Sequence, residues 1–139
     1  MLQILEQKRT CTAPSGEKQG WTITADPLHV NFGDISFQVD LAAERLLAAD
    51  REGEKIAVEI KSFLGPSAIT DFYAALGQFL SYRLALSNVE PERTLYLAVP
   101  TDAYETFCQL AFADAAIEQY ELKLAGYYPA EEIIKEWIV

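Results

Sequence analysis

A carboxylate and an ammonium group lie two residues apart in the segment KIAVEIKSF. Apolar residues alternate with Glu59 and Lys61 there, and successive side chains of a β-strand point to opposite faces, so both charged groups share one face of a predicted strand. Carboxylates bind hard divalent cations, and a lysine can stabilise charge on a phosphate. With a second carboxylate nearby, these residue types would fit metal-assisted phosphodiester hydrolysis. The simpler interpretation is a charge pattern on a solvated face, worth under ~1 kcal/mol.

A second carboxylate, Asp40, lies in the preceding β-rich segment. Two carboxylates on neighbouring strands can hold Mg²⁺, which polarises a phosphoryl oxygen and lowers the pKa of a bound water. Lys61 could then orient that water or act on its proton. If the chain turns tightly at residues 51–52, however, Glu59 lies opposite Glu44 instead. Asp40 and Glu44 therefore both remain candidates for the second metal ligand beside Glu59.

The composition limits the class of protein. A chain of 139 residues suits one domain with one core. The net charge of -10 argues against a general nucleic-acid coating protein, because such binding depends on Lys and Arg neutralising phosphates. It is compatible with a local basic cleft or with a basic partner. No apolar run approaches the ~20 residues of a membrane helix, and the first residues lack a signal peptide, so a cytoplasmic location without membrane contact is expected.

Cysteine and histidine are too few for several kinds of site. Cys11 and Cys108 are the two cysteines of the sequence, which is no disulfide framework and no zinc cluster, and this favours a reducing cytosol. His29 is the single histidine, so an imidazole-rich metal site is excluded. We expect His29 to be a structural hydrogen-bonding group at the end of a strand.

The first half of the chain is predicted to be mostly β-structure. Residues 1–20 contain Pro and Gly and are expected to be poorly ordered, with a short helix over 2–9, whereas residues 21–139 form the domain. GWTITADP predicts a strand, and LHVNF and ISFQVDL predict a hairpin around Gly33–Asp34. LAAERLLAADREGEK is ambiguous. We favour a strand that continues from residue 36 and folds back through residues 50–53, with a helix as the alternative by propensity.

The second half alternates helices and strands. Apolar residues at three- and four-residue spacing predict a long helix that is capped by Ser67 or Thr70 and ends near Asn88. TLYLAV predicts a central strand, and two helical segments follow with a break near Leu110. LKLAGYY and EIIKEWIV predict two more strands, the last at an edge. The order indicates an α/β fold with a mixed β-sheet flanked by helices.

These residues resemble a known superfamily. Asp40, then VEIK with Glu59 and Lys61, followed by a long helix, is similar to the PD-(D/E)XK nuclease-like pattern. The blocks GWTITADPL, VDLAAERLLAA, KIAVEIKSFLG, ITDFYAALGQFLSYRLAL and LYLAVPTDAYETF resemble the XisH family of fdxN element excision controlling factors. The resemblance runs from about Gly20 to Val139. It implies a restriction-endonuclease-like fold, programmed excision of a DNA element and an XisI-like companion protein.

The resemblance also implies roles for individual residues. It assigns the metal carboxylates to Asp40 and Glu59, the catalytic lysine to Lys61 and the cofactor to Mg²⁺ or Mn²⁺. In some relatives a Gln and a Tyr four residues apart on the following helix assist the site, and Gln78 and Tyr82 match that spacing. The alternative for this pair is the polar boundary of an amphipathic helix.

The N-terminus departs from the superfamily pattern. Such folds open with a helix beside the site that often supplies an acidic residue, but residues 1–20 do not predict that helix, and Glu6 and Glu17 are poor substitutes by position. The alternative function is therefore a catalytically inactive, nuclease-fold regulatory subunit that acts through protein contacts. An exposed edge strand at EIIKEWIV would be an aggregation hazard, so we expect a homo- or hetero-oligomer.

Overall fold

The computed structural model describes residues 21–45, 53–128 and 133–138. The predictions for residues 1–20 lie outside these ranges. The strands are β1 (Trp21–Ala25), β2 (Leu28–Phe32), β3 (Ile35–Val39), β4 (Leu41–Arg45), β5 (Glu54–Ile60), β6 (Arg93–Pro100), β7 (Leu124–Tyr128) and β8 (Ile133–Ile138). The helices are α1 (Ala68–Val89), α2 (Thr101–Glu105), a 3₁₀ turn (Phe107–Gln109) and α3 (Ala111–Gln119).

Six of these strands form one mixed sheet in the order β1-β4-β5-β6-β7-β8. The central strands β5, β6 and β7 are parallel, and β1, β4 and β8 join them in antiparallel pairs. Strands β2 and β3 form a separate hairpin whose turn contains Gly33 at φ 62°, a left-handed conformation that glycine adopts readily. The predicted α/β fold with a mixed sheet and flanking helices is confirmed. Its topology fits the restriction-endonuclease-like label, which stays a prediction.

The predicted strand around Glu59 is β5, and it lies inside the sheet as expected. Ile56 and Val58 are buried on one face in a cluster with side chains of β4 and β6, and Ile60 packs against that cluster. Ala57 lies on the opposite face, in the core beneath α1. By the alternation of the strand, Glu59 shares the face of Ala57, so a carboxylate is buried on the side that α1 covers.

The long helix α1 packs on this face through the side chains that its sequence pattern indicated. Phe72 and Phe79 are buried in the core, and Leu76 packs against it. The hydroxyl of Ser67 accepts a hydrogen bond from the Thr70 amide at 3.4 Å, so Ser67 is the N-cap. None of the described helices is long and apolar enough to cross a membrane.

One strand boundary differs from the sequence prediction. A continuous strand from residue 36 through Asp40 is wrong, because β3 pairs with β2 in the hairpin whereas β4 pairs with β1 and β5 in the large sheet. Asp40 is the residue between the two strands. Residues 41–45 are strand and not helix, and residues 46–52 lie outside the described part of the chain.

Candidate active site

The pairing of β4 with β5 brings Asp40 to Glu59. Leu41 is paired with Val58, and the same register places Asp40 opposite Glu59. The Asp40 amide donates to Glu59 Oε1 at 3.3 Å, and the Ile60 amide donates to Asp40 Oδ2 at 2.7 Å. These bonds fix both carboxylates at the end of the ladder. The acidic side chain that precedes β4 and the one near the end of β5 therefore lie side by side.

The surroundings of Glu59 disfavour the ionised form of its carboxyl group. Its residue is 6% exposed, and Lys61 Nζ lies 3.3 Å from Glu59 Oε2. Burial, and then the negative charge of Asp40, raise the pKa of Glu59, although Lys61 opposes this by its charge and its hydrogen bond. A second positive charge near the two carboxylates would relieve this penalty.

Lys61 lies between the carboxylate pair and solvent. Its amide donates to the Ala98 carbonyl at 2.9 Å, which continues the β5–β6 pairing by one residue, and its side chain is 25% exposed. Lys61 lines an open cleft of about 170 Å³ together with residues 62–65, Asp71 and Ala74. The ammonium group is therefore placed between the acidic pair and a surface that a ligand could reach.

The segment that follows Lys61 is held in a defined shape. Phe63 has φ 53°, a left-handed conformation that is uncommon for a residue with a side chain. Its ring centroid lies 6.3 Å from that of Phe107, so packing stabilises this backbone. The Gly65 amide donates to Asp71 Oδ2 at 2.9 Å, and a Cβ at Gly65 would lie 2.5 Å from Asp71 Oδ1. The wall of the cleft is thus fixed to the start of α1.

Tyr82 belongs to the electrostatic surroundings of the acidic pair. Its ring packs edge-on against Phe37 of the hairpin, with centroids 5.8 Å apart. Burial, followed by the charges of Glu59 and Asp40, raises the pKa of the Tyr82 phenol, so this group stays a protonated hydrogen-bond donor. The effect of both charges on the Tyr82 pKa is consistent with the prediction that this side chain lies near the two carboxylates.

Gln78 lies one helical turn before Tyr82 on the same side of α1. Its side-chain oxygen is buried and has no hydrogen-bond partner among the described residues. A buried amide oxygen without a partner is costly, and such groups in native proteins often belong to functional sites. An oxygen at this position could accept from a water molecule or contact a cation.

Glu44, the alternative second ligand, lies elsewhere. It is opposite Lys55, four residues along β4 from Asp40, and its Oε2 contacts Arg93 at 3.2 Å. Arg93 is buried and also binds Glu90 and the Ile56 carbonyl. Sequence reasoning missed this arginine, whose one local signal is its three-residue spacing from Glu90. The structure therefore brings Asp40, and not Glu44, to Glu59.

His29 and Cys108, which were not predicted to be site residues, have other surroundings. His29 is exposed on β2, opposite Gln38 in the hairpin. Cys108 is buried, and burial raises the pKa of its thiol to about 11, which makes it a poor nucleophile. Within residues 21–45, 53–128 and 133–138, no group of three or more His, Cys, Asp or Glu side chains is arranged to hold a metal ion. Among the described residues, the site therefore offers two carboxylates as metal ligands, and any further protein ligand would be an oxygen of another kind.

Known proteins share both the sequence and the fold. The family model described as XisH protein matches residues 12–135. An XisH family protein from Nostoc punctiforme PCC 73102 is 49% identical, covers 89% of this chain and 92% of its own, and superposes with a TM-score of 0.78. An fdxN element excision controlling factor protein from Anabaena variabilis is 46% identical over 89% of this chain and 92% of its own, with a TM-score of 0.77. No curated protein is significantly similar. The family match over most of the chain establishes that this protein belongs to the XisH family.

Proposed function

We propose that this protein is a cytoplasmic excision controlling factor with a restriction-endonuclease-like fold that hydrolyses phosphodiester bonds of DNA with Mg²⁺ or Mn²⁺. The observation that carries the proposal is the meeting of Asp40 and Glu59 across the β4–β5 pair, with Lys61 3.3 Å from Glu59. The name of the Anabaena variabilis relative, an fdxN element excision controlling factor protein, supports the link to excision of a DNA element.

The donor set fits a hard divalent cation. Asp40 and Glu59 would hold it through carboxylate oxygens, the ligands that Mg²⁺ and Mn²⁺ prefer. Burial and Asp40 raise the pKa of Glu59, so positive charge added beside the pair would favour the ionised carboxylate. When bound, the metal would supply Lewis-acid stabilisation of a phosphoryl oxygen and a more acidic water.

The side chains around the carboxylates have separate tasks. Lys61 would orient the attacking water or stabilise negative charge on the phosphate, since its ammonium is partly open to the cleft. Tyr82 stays protonated and can donate a hydrogen bond to a phosphate oxygen. Gln78 offers a buried amide oxygen that could accept from a water molecule. These two are the helix residues that the superfamily resemblance implied.

A companion protein forms part of the proposal. β8 lies at one end of the six-stranded order, where a strand presents backbone donors and acceptors to a further chain. We propose that an XisI-like companion or a second copy covers this side of the domain.

A regulatory role without catalysis is the second candidate function. It is favoured by the net charge of -10, against which DNA would have to approach. It is also favoured by the metal-ligand set, which in the described residues consists of two carboxylates and no third acidic, His or Cys ligand. In this case the protein acts through contacts with other proteins, and Asp40 and Glu59 have no catalytic role.

A plasmid-nicking assay separates the two functions. We expect the wild-type protein to nick supercoiled DNA with Mn²⁺, and Glu59→Gln and Lys61→Ala to lose this activity. Glu44→Gln is the matched control, because Glu44 is on the same sheet face but contacts Arg93, and it should nick like the wild type. If no variant and no wild-type protein nicks DNA, the regulatory function is favoured. Nicking that continues unchanged in Glu59→Gln would place the chemistry on other residues.

A further inference from the structure

A small pocket lies between the C-terminal half of α1, the start of β6 and the residues before β7. Its volume is about 180 Å³, and three of the residues that line it are basic, namely Arg83, Arg93 and Lys123. In the candidate active site, the Lys61 amide is bonded to Ala98, which lies five residues beyond Arg93 on β6. Five residues of strand span about 16 Å, so the pocket is separate from that site.

Two of these cations have no carboxylate partner in the described part of the chain. The ion pairs there involve Lys55, Lys61 and Arg93. Arg83 and Lys123 are the other basic residues whose side chains the structure describes, and both line the pocket. Acidic residues outnumber basic ones by 21 to 11, so two cations that meet without a carboxylate partner indicate a site for an anion.

The guanidinium of Arg83 is held so that one of its edges stays open. Its Nη1 donates to the Tyr120 carbonyl at 2.7 Å and to the Glu121 carbonyl at 3.1 Å, just beyond the end of α3. Those carbonyls are fixed, because Glu121 is left-handed at φ 52° and the Leu122 amide donates to the Ile117 carbonyl at 2.9 Å. Nε and Nη2 have no hydrogen-bond partner among the described residues. This edge is the fork that binds two oxygens of a phosphate or carboxylate.

The walls of the pocket suit an anion that carries an apolar group. Phe79, Leu86 and Leu95 are buried residues that line it. The Arg83 guanidinium lies 5.3 Å from the centre of the Phe79 ring. Apolar walls strengthen the attraction between opposite charges, and they offer a surface to the apolar part of a ligand.

Two further charged residues line the pocket. Arg93 is already bound by Glu44 and Glu90, so it adds no free positive charge. Glu121 is exposed and is the one acidic residue of the lining that the structure describes. Arg83 and Lys123 therefore supply two positive charges against one negative charge.

We infer that this pocket binds a small phosphate monoester, with the phosphate between Arg83 and Lys123 and the apolar group against the buried side chains. A phosphate monoester carries a charge of about −1.5 to −2 at pH 7, which matches the two cations. A volume of about 180 Å³ is below the range of about 300–1,000 Å³ for drug-sized ligands, so the ligand is small. This inference does not depend on catalysis at Glu59.

Phenyl phosphate is the probe for the test, because it joins one phosphate to one small apolar ring. Isothermal titration calorimetry with the full chain gives its Kd, without divalent cations and at about 150 mM salt so that distant charges are screened. Benzoate has the same ring with one negative charge, and phenol is uncharged at neutral pH. We expect phenyl phosphate to bind about tenfold more tightly than benzoate, and phenol to bind least.

Matched charge changes locate the binding. Lys123→Gln removes a lining ammonium and should raise the Kd of phenyl phosphate about tenfold. Lys55→Gln removes the same charge opposite Arg93 in the β5–β6 pair, outside the pocket lining, and should change the Kd less than about twofold. Glu121→Gln removes the acidic charge of the lining and should lower the Kd about twofold.

Arg83→Lys tests the fork itself. It keeps a positive charge that can donate to the Tyr120 and Glu121 carbonyls, but it cannot bind two oxygens in a fixed planar geometry. We expect the Kd of phenyl phosphate to rise about tenfold while the circular dichroism spectrum stays that of the wild type.

Four results would overturn the inference. They are no binding of phenyl phosphate up to millimolar concentration, binding of benzoate as tight as that of phenyl phosphate, an unchanged Kd in Lys123→Gln, and an equal rise in Lys55→Gln. Displacement of phenyl phosphate by a short DNA duplex without terminal phosphates would also overturn it, because the pocket would then bind the nucleic-acid backbone.

Discussion

The two ends of the β4–β5 pair hold acidic side chains in opposite ways. At one end, the buried guanidinium of Arg93 contacts Glu44 at 3.2 Å and Glu90 at 3.0 Å, and it donates to the Ile56 carbonyl at 3.0 Å. Both carboxylates and the carbonyl contact one cation, so each of these three acceptors has a donor. This end is a structural clamp that ties β4, β5 and the start of β6 together.

At the other end, Asp40 and Glu59 face each other, and the pKa of Glu59 is raised by burial and by Asp40 even though Lys61 lies beside it. Both ends hold two carboxylates and one cation, but here a carboxylate that is 6% exposed lies next to a second one. A buried carboxylate whose pKa is raised by burial and by a neighbouring carboxylate is characteristic of functional sites. The comparison shows that the burial of Glu59 beside a second carboxylate, and not the number of carboxylates, distinguishes the candidate active site from the structural end.

The largest expected effect is the loss of folding stability when the Arg93 clamp is removed. Arg93→Met should lower the free energy of unfolding by about 3 kcal/mol, because it leaves the Ile56 carbonyl and two carboxylates without their donor. Urea denaturation measures the change. Glu44→Gln is the control, since Glu44 is 39% exposed and its loss should cost under ~1 kcal/mol. An Arg93→Met midpoint equal to that of the wild type would show that this end is no clamp.

At the Asp40–Glu59 end we expect a smaller change in stability of opposite sign, a gain and not a loss. The folded-state pKa of Glu59 lies above its ordinary value of 4.5, so the folded protein binds this proton more tightly than the unfolded chain. Stability from this group is therefore present below pH 4.5 and is lost as the pH rises through the folded-state pKa. Glu59→Gln removes the charge and should be more stable than the wild type at pH 8.

Melting curves of Glu59→Gln and the wild type from pH 4 to pH 8 check this sign, within the range about the ordinary carboxyl pKa. The stability difference should shrink as the pH falls. If Glu59→Gln is less stable at pH 8 and equally stable at pH 4, Lys61 outweighs burial and Asp40, and the two ends of the strand pair are alike.

The smallest expected effect is a shift in the pKa of Tyr82, which is followed by spectroscopy. Because the charges of Glu59 and Asp40 contribute to its raised pKa after burial, Glu59→Gln should lower that pKa only in part. The difference titration between each protein and its Tyr82→Phe counterpart isolates this phenol among the seven tyrosines. Glu44→Gln should leave the Tyr82 titration unchanged. An equal shift in Glu44→Gln would mean that Tyr82 does not distinguish the two ends.

Much of this arrangement could be predicted from local patterns. The alternation in KIAVEIKSF and the three- and four-residue spacing after Ser67 identified β5 and α1 correctly, because both patterns follow directly from backbone geometry. The break at Leu110 between the two short helical segments was also predictable.

The register of β4 against β5 could not be predicted in the same way. A tight turn at residues 51–52 would pair Glu59 with Glu44, whereas the chain pairs Arg45 with Glu54 and leaves residues 46–53 between them. The length of a connection sets the register, and no periodicity encodes it. The boundary at Asp40 was missed for a related reason, since β3 and β4 are adjacent in sequence but belong to different sheets.

The most direct test of the central claim is the response of protein stability to Mn²⁺. Metal at about ten times its Kd should add about 1.4 kcal/mol to the free energy of unfolding by mass action. We expect this rise in the wild type, in Glu44→Gln and in Lys61→Ala, because none of these changes removes Asp40 or Glu59. The rise should be absent in Asp40→Asn and Glu59→Gln. A rise that persists in Glu59→Gln, or that disappears in Glu44→Gln, would contradict the assignment of the cation site to the Asp40–Glu59 end of the sheet.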